Sequence, residues 1–519
     1  MAFLFSYTAY KMKPTAHRLA LVNNNNGIYL YSKYTMKNFI LLATIIVLST
    51  TIKAQTTAIP DANFEQALIN LGYDSGFIDG TVPTANISSI TTLVVQNKNI
   101  SDLTGIEAFV SLQHLTCGSN SLTNLNVTQN NNLTVLQCSA NQLTSLDLTQ
   151  NVSLTKLRCS GNQLSTLNVS QNTSLTEISC SSNQLTNLDI TQNLDLSFLR
   201  CSSNSLSNID LTQNVAIDTL NCDLNMLNNL DVSQNINLVN FSCFQNQIVS
   251  LDISQNTNLV YLNCGVNQLT NLDVTKNVSL TALFCGINQL TDINITQNPL
   301  LVYFICSSNQ LLSLNLIKNT ALDIVKCDSN QINILNVSHN ILLTQLHCEK
   351  NQLTRLNISS NSQLSIFNCF SNQLICLDIK NGNNHNIFPN GFNATDNPGL
   401  TCINVDDQAW ATINLPNVDL QSSFSTSCSN LCLVSVEEQN LEPISIYPNP
   451  TSGSINIDLG ETLTNPSIIL TNSLGQVILT KGFDSTDFIR LDINAPKEIY
   501  FLQIQTENGK AIMKKVLKE

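Results

Sequence analysis

Between roughly residues 90 and 382, apolar positions return with a period of 21. The stretch Leu133–Asn151 reads LTVLQCSANQLTSLDLTQN, and its frame is L-x-x-L-x-C-x-x-N-x-L-x-x-L-x-[VLI]-[ST]-x-N. Cysteines stand at 117, 138, 159, 180, 201, 222, 243, 264, 285, 306, 327, 348 and 369, each followed three residues later by Asn, from Asn120 to Asn372. Five residues before each Cys is Leu, with Ile217 the one exception; five after is Leu or Ile. In Leu136-Gln137-Cys138 two apolar residues flank a polar one, the pattern of a short strand with one buried face. The Asn then turns the chain, and its amide can satisfy backbone N–H and C=O groups that no neighbouring strand reaches. A single coil cannot hide its own leucines, whereas stacked coils share one continuous core. The pattern predicts a mainly β solenoid with a parallel sheet on its concave face, strands ~4.8 Å apart and an arc of about 60 Å over thirteen coils. The second half of each repeat echoes the first, which predicts a second short strand or extended segment opposite the sheet. Twenty-one residues leave little room for a helix there.

Composition narrows the function. The chain has 519 residues, 43% hydrophobic and only 11% charged, with Lys+Arg 23 against Asp+Glu 36 for a net charge of −13. That balance lacks the basic footprint of a nucleic-acid binder. After residue 55 no apolar run approaches the ~20 residues needed to span a bilayer.

Both ends of the chain depart from the repeat pattern. Residues 36–54, MKNFILLATIIVLSTTIKA, combine Lys37 with an apolar stretch from Phe39 to Leu48 and the small Ala54, which predicts a signal peptide cleaved between Ala54 and Gln55. Residues 1–35 then read as an over-extended, unstructured start upstream of Met36. Polar residues 433–443 read as a linker, and 444–519 as short strands separated by the turn signals YPNPTSG, TNSLGQ and TENGK, a small C-terminal β-sandwich.

The 21-residue frame resembles the leucine-rich repeat family, in its short bacterial class. The segment IPDANFEQALINLGYDSG (59–76) resembles the helical N-terminal cap of such proteins, and FNATDNPGLTCINVDDQAWATINLPNVDLQSSFSTSC (392–428) the matching C-terminal cap. This divides the chain into an N-terminal cap at 55–89, repeats at 90–382 and a C-terminal cap at 383–432. Tyr447-Pro448-Asn449-Pro450, Leu474-Gly475-Gln476 and the closing IYFLQIQTENGKAIMKKVLKE (499–519) resemble the C-terminal sorting domain of type IX secretion substrates, with Glu498 where the family commonly has Gly. That resemblance implies contact with the secretion machinery through 444–519, export across the outer membrane, and a protein that is secreted or held at the cell surface.

The repeat cysteines occupy a slot that is Leu in most leucine-rich repeats, and a free Cys behaves as a small buried hydrophobe. In-register parallel strands hold neighbouring Cβ vectors parallel and too far apart for an unstrained disulfide. Reduced core thiols are the expectation; export through an oxidising compartment keeps adjacent disulfides and a soft-metal thiolate ladder as alternatives. Cys402 and Cys428 in the C-terminal cap are disulfide candidates. Cys376 and Cys432 form a second pair, or Cys432 competes with Cys428.

No nucleophile–base constellation, phosphate loop or histidine metal spacing is present, so the chain reads as a non-enzyme without cofactor. Asp406-Asp407 reads as a solvated turn. Residues flanking the buried Leu and Cys of each strand face outward, and they bring together Phe198, Phe244, Tyr261, Phe284, Tyr303 and Phe370, with Arg158 and Arg200 in the earlier repeats. Aromatics are only 6% of the chain, so this file is an expected ligand-binding surface; stacking along the sheet for stability is the alternative. Asp189, Asp210, Asp231, Asp252 and Asp273 form a second file, either a solvated row held by hydrogen bonds or a weak calcium site. The expected function is adhesion or protein–protein interaction through the concave face. Glycan or envelope-polysaccharide binding and a ligand-free surface spacer are the alternatives.

Overall fold

The computed structural model describes residues 55–428, 432, 444–472, 476–505 and 511–519. The expected leader, the upstream segment 1–35, Ala54 and the linker 433–443 lie outside the described residues.

A fifteen-stranded parallel sheet runs from Thr92–Val94 to Phe392–Asn393. Except for that last, two-residue strand, its strands are three residues long and pair in register, so Leu136 faces Leu157 and Leu157 faces Ile178. Within one coil Leu133, Leu136, Cys138, Leu143, Leu146 and Leu148 are all buried. Each such leucine withdrawn from water stabilises the stack by about 1.5–3 kcal/mol, and only the coils above and below provide the cover.

The second half of the repeat is extended but, in most coils, not a strand. Opposite the main sheet stand a lone bridge, Leu314 to Leu335, and a four-stranded parallel sheet at the C-terminal end, Arg355–Asn357, Cys376–Asp378, Cys402–Asn404 and Ser423–Ser425. Where ladder bonds close on one flank only, the other is free to splay, and the sheet takes the concave side. Among the described residues no helix is long and apolar enough to cross a membrane.

Two files of asparagine replace the missing ladder. In the first, Asn225 Nδ2 donates to the carbonyls of Cys201, Cys222 and Asp223, each at 3.1 Å, while its Oδ1 accepts from Leu206 N at 3.0 Å. The residue before each of these Asn has positive φ, as at Leu224, Val266 and Ile287, with glycine only at Gly161. In the second file, Asn235 Nδ2 donates to Leu211 O (3.2 Å) and Asn214 O (2.9 Å). There the Oδ1 has no protein partner, from Asn130 through Asn361.

The helix Ala62–Asn70 and the antiparallel pair Thr56–Ala58 with Thr81–Pro83 close the N-terminal end. Asp61 ties them to the first coil. One of its carboxylate oxygens caps the helix at Asn63 N and Phe64 N, and the other accepts from Ser101 N and Oγ and from Asp102 N.

The C-terminal unit is a separate β-sandwich with its own core. A three-stranded antiparallel sheet (Ser445–Tyr447, Ser454–Leu463, Thr486–Asp492) accompanies a four-stranded one (Val477–Gly482, Ser467–Asn472, Ile499–Gln505, Ala511–Leu517). Asn449 of the YPNP turn pins the final strand, donating to Lys515 O and accepting from Leu517 N.

Candidate functional site: the concave face

Three rows of side chains cover the concave face: the two outward positions of each strand and the residue after each Cys. The row containing Tyr261 pairs it with Ala282, then Tyr303 and Ile324; the next row pairs Asn263 with Phe284 and Ile305. Tyr261 and Phe284 lie with ring centroids 5.5 Å apart, tilted by 44°. Tyr303 is 42% exposed, a large apolar surface left to solvent. The aromatics are legible in the sequence, but not that Ile324 extends their row, that the small buried Ala282 lies between the two tyrosines, or that the half-buried Gly286 and buried Gly265 add no side chain beside Phe284. A Cβ at Gly286 would lie 3.0 Å from Ser307 O, and one at Gly265 3.5 Å from Phe244 Cδ2. Counting 21 from Phe244 to Gly265 and Gly286, and from Tyr261 to Ala282, Tyr303 and Ile324, was the available signal.

The remaining aromatics do not share one environment. Phe198 lies under the Arg200 guanidinium at 4.9 Å, and Phe370 lies 5.9 Å from Lys350 Nζ. Arg158 is partly neutralised: its Nε meets Glu177 Oε1 at 2.5 Å, and Lys156 Nζ approaches the same carboxylate at 3.7 Å.

A third feature went unread in the sequence. Acids stand one residue after three of the buried cysteines, at Asp223, Asp328 and Glu349. Asp223 is half-buried beside the patch, and loss of solvent raises its pKa although Ser242 Oγ, Phe244 N and Asn221 Nδ2 all donate to it. Glu349 pairs with His347 at 3.7 Å.

The aspartate file occupies an exposed edge, away from the sheet. Asp189 Oδ1 accepts from Thr191 N and Oγ1, and the same turn recurs at Asp210 and Asp273. At Asp231 and Asp252 the backbone N–H two residues on donates in the same way. These bonds hold all five carboxyls below the usual range; neighbouring aspartates oppose them only at Asp189, Asp231 and Asp273, and at Asp273 Lys276 assists. Among the described residues no three His, Cys, Asp or Glu side chains converge on a metal-sized site.

The thirteen repeat thiols are free and fully buried. Burial pushes Cys138, Cys180 and Cys264 up to about 12 and raises the others as well, so at neutral pH they are protonated and poorly nucleophilic. Cys402 is bonded to Cys428 and Cys376 to Cys432. The acidic pair read as a solvated turn is structural. Asp407 caps the helix Gln408–Asn414, and Asp406 accepts from Gly382 N and Asn384 N, joining the last repeat to the cap.

Residues 445–519 match the family model of the secretion system C-terminal sorting domain. Among solved structures, the chain is similar to the functional domain of InlJ from Listeria monocytogenes, which includes a cysteine ladder. That match is 27% identical, spans 90% of this chain and 100% of the other, and has a TM-score of 0.59. The leucine-rich repeat protein LIC12759 of Leptospira interrogans matches at 23% identity over 65% of this chain and 94% of its own, with a TM-score of 0.52. The internalin InlF of Listeria monocytogenes matches at 20% over 73% and 100%, with a TM-score of 0.50. No curated protein sequence matches the chain. The sorting domain marks a protein that is secreted or anchored at the outer surface. The chain is a leucine-rich repeat protein of the 21-residue kind, with a buried cysteine ladder and a type IX secretion sorting domain at its C-terminal end.

Proposed function

We propose that this protein is an adhesion or protein-capture module that engages a macromolecular partner through its concave face, and that it has no catalytic role. The observation that carries this reading is the apolar centre around Tyr261, Phe284 and Tyr303. It lies on the outward face of a sheet whose inward face already supplies the core. Stability does not call for large apolar side chains there, whereas contiguous exposed apolar surface marks interaction sites and aromatics dominate their energetics. The neighbouring Arg158 and Arg200 belong to the same surface. The sorting domain supports the reading, because it delivers the solenoid to a place where surface partners are met.

The test is the variant Tyr261→Ser/Phe284→Ser/Tyr303→Ser. Adhesion of the displayed protein to envelope or host-surface material is expected to vanish while the melting temperature stays near that of the parent. Adhesion that persists would sink the reading. Deleting residues 444–519 is expected to leave the protein in the periplasm, checked by cell fractionation.

A further inference from the structure

The row that carries Phe284 also carries the cations. From Arg158 through Arg200 to Phe284 the residues pair one for one across adjacent strands. At ~4.8 Å per strand, Arg200 lies about 10 Å from Arg158 and about 19 Å from Phe284. Lys156 and Arg158 share the single carboxylate of Glu177, and Arg200 meets no carboxylate among the described residues. Three cations against one anion therefore stand on this stretch of a chain whose net charge is −13. Arg200 is exposed and braced against the Phe198 ring, which holds its guanidinium at the sheet surface. Between it and the apolar patch the face is polar: the half-buried Asp223 is engaged by Ser242, Phe244 and Asn221, and Asn240 and Asn263 are in reach of a main chain laid across the strands.

Resting on the concave-face reading above, we propose that the ligand is an extended polypeptide with two chemically distinct ends. Its carboxylates meet Arg158 and Arg200, and its apolar side chains seat on Tyr261, Phe284 and Tyr303. A separation of about 19 Å corresponds to about six residues of extended chain. Arginine offers a carboxylate a two-pronged donor, so the cationic end selects acids rather than neutral polar groups. A polypeptide fits better than a sugar chain because the patch mixes tilted rings with the part-exposed Ile305 and Ile324. Aliphatic surface of that kind matches Leu or Phe side chains, whereas a pyranose needs a flat aromatic platform.

The experiment is selection of a random dodecapeptide phage library on the intact secreted protein, followed by fluorescence anisotropy with the synthetic consensus peptide. Enriched sequences are expected to carry Asp or Glu and an apolar residue about five to seven positions apart. Arg158→Glu/Arg200→Glu should weaken that peptide at least about tenfold at about 50 mM salt and far less at about 300 mM. Phe284→Ser should weaken it by about tenfold at both. A consensus without acids, or an arginine variant that binds normally, overturns the acidic-ligand proposal. If Phe284→Ser still abolishes binding in that case, the concave reading stands. If neither substitution matters, both fall. A uronic-acid oligosaccharide that binds with the same arginine dependence, where no acidic peptide does, also overturns the proposal.

Discussion

The solenoid and the C-terminal sandwich are both built from β-structure, yet they are stabilised by different means. The sandwich pairs strands of up to ten residues antiparallel, with Ile455, Leu470, Tyr500 and Leu502 between its two sheets. It needs no polar residue in its centre beyond what its turns demand. The solenoid uses three-residue strands, so most of each coil is turn, and turns carry backbone groups that a sheet would have satisfied. Two asparagine files and one thiol file occupy the interior as a result. Repetition makes each of these a row, and a row multiplies whatever one residue contributes.

The largest expected effect separates the two units by pH. A repeat thiol loses its proton near 9.0 in the unfolded chain but, at Cys138, Cys180 and Cys264, only near 12 in the fold. Its contribution is intact below pH 9 and is lost as pH climbs from 9 toward 12, because there the unfolded state binds fewer protons than the native one. Each of these three thiols accounts for about 1.4 kcal/mol per pH unit in that window, and burial raises the other ten in the same direction. Calorimetry of the whole protein between pH 8 and about 10.5 should show the solenoid transition falling steeply while that of the cysteine-free sandwich moves little. Parallel movement of both transitions would break the comparison.

Next in size are the links that end the stack. The Cys402–Cys428 bond closes a loop with sequence separation 26. Cys402→Ser/Cys428→Ser should cost about 3 kcal/mol, read as early protease nicking of the C-terminal cap while the middle coils stay protected from hydrogen exchange.

The two asparagine files sharpen the comparison within the solenoid. Asn225→Ala orphans the Leu206 N–H and removes one of the two donors from each of the carbonyls of Cys201, Cys222 and Asp223, whereas Asn235→Ala only removes one of two donors from the carbonyls of Leu211 and Asn214, which keep backbone N–H partners. Urea denaturation should give losses of about 3 and about 1.5 kcal/mol in that order. Equal losses would mean that the two files carry the same burden.

The smallest effect comes from the left-handed turn. Ile287 sits at φ 54°, is 55% exposed, and so strains the backbone without adding much burial. Ile287→Gly should stabilise by up to about 1 kcal/mol, and Gly161→Val should destabilise by a similar amount, both measured as shifts in urea midpoint.

The sequence by itself determined the period, the identity of the buried rows and the two-unit plan. A residue that recurs every 21 positions in a stacked coil must recur at one place in space, so counting suffices for Leu, Cys and the first Asn file. It also determined the sorting domain, because YPNP and the closing strand are local patterns. The tertiary structure decided what lies across coils. Only there does Glu177 meet both Lys156 and Arg158 while Arg200 stacks on Phe198 with no carboxylate among the described residues, and only there do Ala282 and Ile324 join Tyr261 and Tyr303 in one row. The second asparagine file, visible as letters, acquires its open Oδ1 from the geometry of its turn. The missing strand on the far flank has the same origin, since curvature belongs to the stack and not to any single repeat. Burial follows from each residue's own character repeated, whereas charge pairing, surface continuity and strand closure depend on distances between different coils, and the packed molecule alone fixes those.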